Sequence, residues 1–244
     1  MPYNYRDHLR LSDEIKDILI ADLALALAFA IMSVGGIFGG KASGITILFL
    51  LPITLFATTL VFVLHELMHK FVAQKFGAVA AFRRSDTGIM IALITSFFGF
   101  LLALPGATYI YTNSFTKKEN GYVSLAGPLT NFIIFIIFYV LNIAFFSNAN
   151  IHLSNLTLTT YAALAIQTTM FISILLAFYN MLPIYPLDGS KILAWNRPVY
   201  AILIVATFVS LSIFIPLSQL ILLVIFMLIF SFFISSTYRN ILQR

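Results

Sequence analysis

His65-Glu66-Leu67-Met68-His69 sets two imidazoles four residues apart, with a carboxylate beside the first. On a helix that spacing brings both rings to one face, one turn apart, where both reach a single zinc ion. Glu66 stands next to them. The bland alternative is a polar helix end, snorkelling with Lys70 out of the apolar run that precedes it. That run, Phe56 to Leu64, argues the other way, because ionisable groups at bilayer depth are costly unless a partner or a function keeps them there.

A catalytic zinc takes three protein ligands and keeps one position for water. The chain has no cysteine, so the third ligand must be His, Asp or Glu. His8 lies in a polar head and His152 in an uncharged loop. Outside the head and the motif the acids are Asp22, Asp86, Glu119 and Asp188. Asp188 stands in the segment Asn180 to Gly189, NMLPIYPLDG, where Pro183 and Pro186 interrupt an apolar helix. Broken helices in membrane proteins commonly line a site, although an ordinary turn closing a span uses the same residue types.

The elements that must position these residues follow from composition. Of 244 residues, 61% are hydrophobic and 9% charged, too few polar side chains to cover a water-soluble domain. The net charge of +5 is spread over short loops, which fits positive-inside anchoring and speaks against nucleic acid as a partner. Seven apolar stretches approach spanning length: Ile18 to Val34, Ile45 to Leu64, Ile89 to Ile110, Leu125 to Phe146, Tyr161 to Leu182, Val199 to Ile215 and Leu217 to Ile234. The head, Met1 to Asp17, reads as a charged surface lead-in. Gly35, Gly36, Gly39 and Gly40 read as a tight link between the first two spans. Ala78 to Ile94 departs from the helical pattern: Ser85-Asp86-Thr87-Gly88 is a turn signal between two short runs and predicts a small hairpin.

Charge decides the topology. With Met1 to Asp17 inside, the histidine motif emerges at the inner face together with Lys70, Lys75, Arg83 and Arg84. If the third stretch crossed fully, Lys117 and Lys118 would fall outside and Asp188 would end opposite the histidines. If it is re-entrant, as Leu104-Pro105-Gly106 allows, every Lys and Arg except Lys41 lies on one side, Arg239 and Arg244 included, and Asp188 reaches the depth of His65 and His69. The expected fold is therefore an α-helical polytopic membrane protein with about six transmembrane helices, plus a short membrane-associated β-hairpin and a re-entrant segment. It forms one integral-membrane domain over residues 1–244, with a core at about 45–192 and two C-terminal transmembrane helices in 193–244. Both termini and the site face the cytoplasm.

Three segments in this order resemble the site-2 proteases, zinc metalloproteases that cut peptide bonds within the membrane: HELMHKFVAQKFG from His65, SLAGPLTN from Ser124 and NMLPIYPLDG from Asn180. The resemblance implies one zinc per chain held by His65, His69 and Asp188, with Glu66 as the base and Asn180 near the metal. It also implies membrane-embedded strands that hold substrate. Met68 departs from the small residue often found inside the histidine motif, and neither a PDZ nor a CBS regulatory domain is recognisable.

On this reading Asn180 hydrogen-bonds substrate or the developing oxyanion, the alternative being a polar residue that packs helices. Gly127, Pro128, Thr130 and Asn131 read as helix-packing residues, with the Asn131 amide placed to hold the re-entrant loop. The partners are the lipid bilayer and a transmembrane protein or peptide substrate. A helical substrate hides its backbone and must be unwound, and a strand at Phe82, or at Ile89 to Leu93, would hold it extended by strand addition. The alternative function is a membrane metal-ion transporter or channel using the same His and Asp cluster, which calls for a second polar constellation leading away from it.

Overall fold

The computed structural model describes residues 11–36, 44–102, 104–112, 115–146 and 157–225. The stretch from Met1 to Arg10, Gly39, Gly40 and Lys41, the loop with His152, and the tail with Arg239 and Arg244 lie outside these, so expectations placed on them are left where they stood.

Eight α-helices, a π-helical turn, a further helical stretch from 217 to 225 and a two-stranded sheet make up the described chain. Helix α1 spans Leu11–Ser33. Helix α2, Gly44–Thr58, runs through a π-helical turn at Thr59–Val63 into α3, Leu64–Lys75, as one rod of 32 residues. Strand β1, Val79–Arg84, is followed by helix α4, Asp86–Phe97, and strand β2, Gly106–Tyr111. Helices α5, Lys117–Phe146, and α6, Leu158–Asn180, are long and apolar; α7, Asp188–Trp195, is short, and α8 spans Arg197–Leu211.

Among the described residues, three helical segments are long and apolar enough to cross a bilayer: Gly44–Lys75, Lys117–Phe146 and Leu158–Asn180. Helix α1 is 23 residues long but carries Lys16, Asp17 and Asp22. The apolar α8 has 15 residues, short of a perpendicular crossing. The last apolar stretch is helical from 217 to 225 and is described no further.

The predicted hairpin is corrected. Ser85 does not turn β1 back on the next run; it caps α4, its Oγ accepting from the Gly88 N–H at 3.1 Å. Ile89 to Leu93, expected as a strand, lie inside that helix. The partner of β1 is β2, antiparallel, with Phe82 opposite Thr108 and Arg84 opposite Gly106. Beyond the last pair, the Ser85 N–H donates to the Pro105 carbonyl at 2.8 Å. The third apolar stretch therefore leaves the end of β1 as a short helix and comes back to pair with the same strand. Gly88 allows the return to pass close: a Cβ there would run into the Leu104 carbonyl.

The head is also not merely a surface lead-in. Glu14 is buried, and its carboxylate takes two contacts from Lys70 Nζ, at 2.6 and 2.8 Å, and the Phe82 N–H at 3.1 Å. Asp17 stands 3.6 Å from both Arg83 and Arg84. Helix α1 thus covers the outer edge of β1, where unpaired backbone groups would otherwise stay open.

The two larger apolar clusters among the described residues hold the bundle. One joins Phe29 of α1, Val61 and Phe62 of the rod, Phe82 of β1, Ile134 of α5 and Ile172 of α6, with Phe62 and Phe82 edge to face at 5.6 Å. The other joins Phe135 of α5, Met170, Ile174 and Phe178 of α6, and Leu187 and Leu211 beyond it. Helix α5 is central, packing on α3, α6 and α7.

Candidate metal centre and catalytic cleft

The sequence places His65 and His69 one turn apart on α3, and the fold brings Asp188, the first residue of α7, against them. His69 Nε2 lies 3.0 Å from His65 Nε2 and 3.0 Å from Asp188 Oδ2, and His65 Nε2 lies 3.5 Å from that oxygen. All three residues are buried.

Helix α5 shapes this centre from the far side. Val123, Gly127 and Asn131 recur every fourth residue and form one stripe facing the two imidazoles. His69 Nδ1 donates to the Val123 carbonyl at 2.7 Å. A carbonyl only accepts, so the His69 proton sits on Nδ1 and its Nε2 presents a lone pair to the centre. His65 Nδ1 is 3.1 Å from the side-chain amide of Asn131. Between them, a Cβ on Gly127 would overlap both Nε2 atoms, so glycine keeps that space clear.

Glu66 is buried beside the centre, its Oε2 accepting from the Thr108 hydroxyl at 2.8 Å. A cleft of about 520 Å³ runs past His65, Glu66, His69 and Asp188, between β2 and the turn at Tyr185 and Pro186. Asn180 lines this cleft, half-buried, with one amide hydrogen donated to the Leu176 carbonyl of its own helix at 3.0 Å.

The edge of β2 that faces the cleft has a definite polarity. Phe82 spends its N–H on Glu14 and its carbonyl on Arg83 Nη1, both away from β2. Its pair with Thr108 is therefore a non-hydrogen-bonded one, and by alternation the backbone N–H and C=O of Gly106, Thr108 and Ile110 point outward from the sheet.

Comparison with known proteins decides the family. The model of peptidase family M50 matches residues 53–196, which contain His65, His69, Asn180 and Asp188. The chain belongs to peptidase family M50, the site-2 protease family. It is 35% identical to a protein of Methanocaldococcus jannaschii, provisionally named a zinc metalloprotease, over 78% of this chain and 87% of that one. A second protein of the same organism, named a zinc metalloprotease, is 29% identical over 54% of this chain and 30% of its own length. No solved structure matches the chain. Membership and these relatives support a metalloprotease, and the apolar helices fit a membrane protein.

An M50 protease implies a metal, and the residues present fit one. Atoms bound to one tetrahedral zinc at about 2.0–2.1 Å stand about 3.3 Å apart. The three donor atoms here stand 3.0 to 3.5 Å apart. Nitrogen lone pairs and a carboxylate oxygen converging at that range call for a cation among them, and Gly127 leaves the room for it. Among the described residues, His65, His69 and Asp188 form the one group of His, Asp and Glu side chains able to hold a metal ion.

Of the site residues expected from sequence, His65, His69, Asp188 and Glu66 meet at this M50 centre, and Asn180 lines its cleft. Asn131 was expected to hold the re-entrant loop; its amide instead meets His65. Sequence reasoning passed over Thr108, and saw in Gly127 only helix packing. The fourfold spacing of Val123, Gly127 and Asn131 is the signal that pairs α5 with the His-x-x-x-His face.

Proposed function

We propose that this M50 protease is an intramembrane zinc metalloendopeptidase, hydrolysing peptide bonds within or near transmembrane segments of membrane-anchored proteins. The observation that carries the proposal is the buried meeting of His65, His69 and Asp188 at the end of an apolar rod, with Glu66 alongside. His65, His69 and Asp188 are the proposed metal ligands and Glu66 and Asn180 the proposed catalytic residues.

A zinc ion held in such a site acidifies water and polarises a peptide carbonyl. Glu66, tethered through Oε2 by Thr108, holds the proton taken from the attacking water and hands it to the leaving nitrogen. Asn180 keeps its second amide hydrogen for the substrate carbonyl, where negative charge develops. The outward N–H and C=O groups of Gly106, Thr108 and Ile110 receive an unwound substrate as an added strand, laid along the cleft past the metal ligands. With its own edge covered by Glu14, β1 no longer serves that purpose.

Six spans and one re-entrant segment, in a single domain with core 45–192 and both termini on the cytoplasmic face, remain the topology we favour. The return of the third stretch to β1 supports it, because Lys117 and Lys118 then share a side with Arg83 and Arg84. A transporter would require a second polar constellation; among the described residues the metal-competent group is this one alone.

The test is co-expression of wild type and Glu66→Gln with a panel of single-span membrane proteins, mapping products by mass spectrometry. Wild type is expected to release fragments cut within or near the span, and Glu66→Gln to bind zinc yet cleave at least about a hundredfold more slowly. Equal cleavage by the variant would reject the role of Glu66, and cuts confined to soluble domains would reject the substrate class.

A further inference from the structure

Asn131 is fully buried. Its Nδ2 lies 3.1 Å from His65 Nδ1, and its Oδ1 has no hydrogen-bond partner. In that orientation the amide donates to His65 Nδ1, which forces the ring proton onto Nε2. Yet His65 Nε2 is the atom that faces His69 Nε2 at 3.0 Å and Asp188 Oδ2 at 3.5 Å, and a protonated Nε2 has no lone pair for a metal. Oxygen and nitrogen of an amide are near-isosteric, and a half turn about the last side-chain bond exchanges them. The conflict at His65 then vanishes: Oδ1 accepts from Nδ1–H, and the Nε2 lone pair turns to the centre.

We propose that Asn131 Oδ1 accepts the Nδ1 proton of His65 and so holds this imidazole in its metal-binding tautomer. Asn131 is a positioning residue, acting on the metal through His65. The geometry at His69 is the precedent within the same molecule: there Nδ1 donates to the Val123 carbonyl at 2.7 Å, two turns earlier on α5. One helix thus supplies an oxygen acceptor to each imidazole, with Gly127 between them leaving space for the ion. The inference rests on the metal-ligand reading of His65.

The experiment measures zinc affinity, by competition with a chelating dye, on wild type, Asn131→Leu, Asn131→Asp and His65→Ala purified in detergent, with thermal melts of the metal-free proteins alongside. Asn131→Leu keeps the shape without the acceptor and is expected to bind zinc about 10–100-fold more weakly. Asn131→Asp keeps an oxygen and cannot donate; it is expected to stay within a few-fold of wild type. Wild-type affinity in Asn131→Leu overturns the proposal. So does weak binding in Asn131→Asp, which alone decides the matter if Asn131→Leu does not fold, because it would show that the amide hydrogen and not the oxygen is what counts. His65→Ala separates the two levels of the argument. If it binds zinc like wild type, the ligand reading itself fails; if it loses zinc while Asn131→Leu does not, only the role of Asn131 falls.

Discussion

The Thr108 hydroxyl donates to Glu66 Oε2 at 2.8 Å, and the same hydroxyl lies 3.1 Å from the Glu66 carbonyl. Thr108 sits on β2 with its own backbone N–H and C=O turned to the cleft, so one residue touches both the proposed base and the proposed path of the substrate strand. A hydrogen bond to a charged group contributes about 1.5–3 kcal/mol, and each 1.4 kcal/mol of transition-state stabilisation is about tenfold in rate. Thr108→Val should lower kcat by at least about tenfold and leave zinc content unchanged, while Thr108→Ser keeps most of the activity. Full activity in Thr108→Val, measured on a fluorogenic transmembrane peptide, would show that Glu66 needs no tether.

Gly127 invites the opposite split. Because a Cβ there overlaps the Nε2 atoms of both histidines, Gly127→Ala is expected to push the rings apart and abolish stoichiometric zinc binding. Helix propensity by itself favours alanine over glycine by about 1 kcal/mol, so the helix should not suffer. Elemental analysis of the purified variant reads this directly; a full equivalent of zinc would mean that the centre opens away from α5.

What the sequence reveals and what it hides divide along a physical line. The His65 and His69 pair is a local, one-turn relationship, and the i to i+4 rule finds it without a structure. The approach of Asp188 is non-local, yet Lys117, Lys118, Lys191 and Arg197 betray it, because charge asymmetry across a bilayer constrains which loops share a side. No such field marks the pairing of β1 with β2. The two strands are joined through a helix and an irregular return, and Ser85 serves equally well as a turn residue and as a helix cap, so the nearer partner is chosen wrongly. Glu14 misleads for a similar reason: flanked by charges, it reads as solvated, while its actual partners are Lys70 and the Phe82 N–H. Asn131 reads as a packing residue because an asparagine in an apolar helix carries no sign of what it faces.

Glu14 can be probed by stability. The pair with Lys70 is mostly shielded, with side-chain exposures of 7% and 21%, so removing one partner leaves a poorly solvated charge. Glu14→Ala also frees the Phe82 N–H, whereas Glu14→Gln keeps an acceptor for it. Taking about 2 kcal/mol for the first change, the melting temperature should fall on the order of 5 °C, and less for glutamine. Unchanged melting of both variants in the same detergent would mean that α1 does not clamp the sheet.

The proposed chemistry needs one ion shared between residues that are far apart in the chain. Zinc per chain in purified Asp188→Ala, beside wild type, examines that sharing most directly. Wild type should hold about one zinc and Asp188→Ala nearly none, although His65 and His69 are untouched, since two imidazoles alone leave a catalytic-type zinc site one protein ligand short. A full equivalent of zinc in Asp188→Ala would contradict the account.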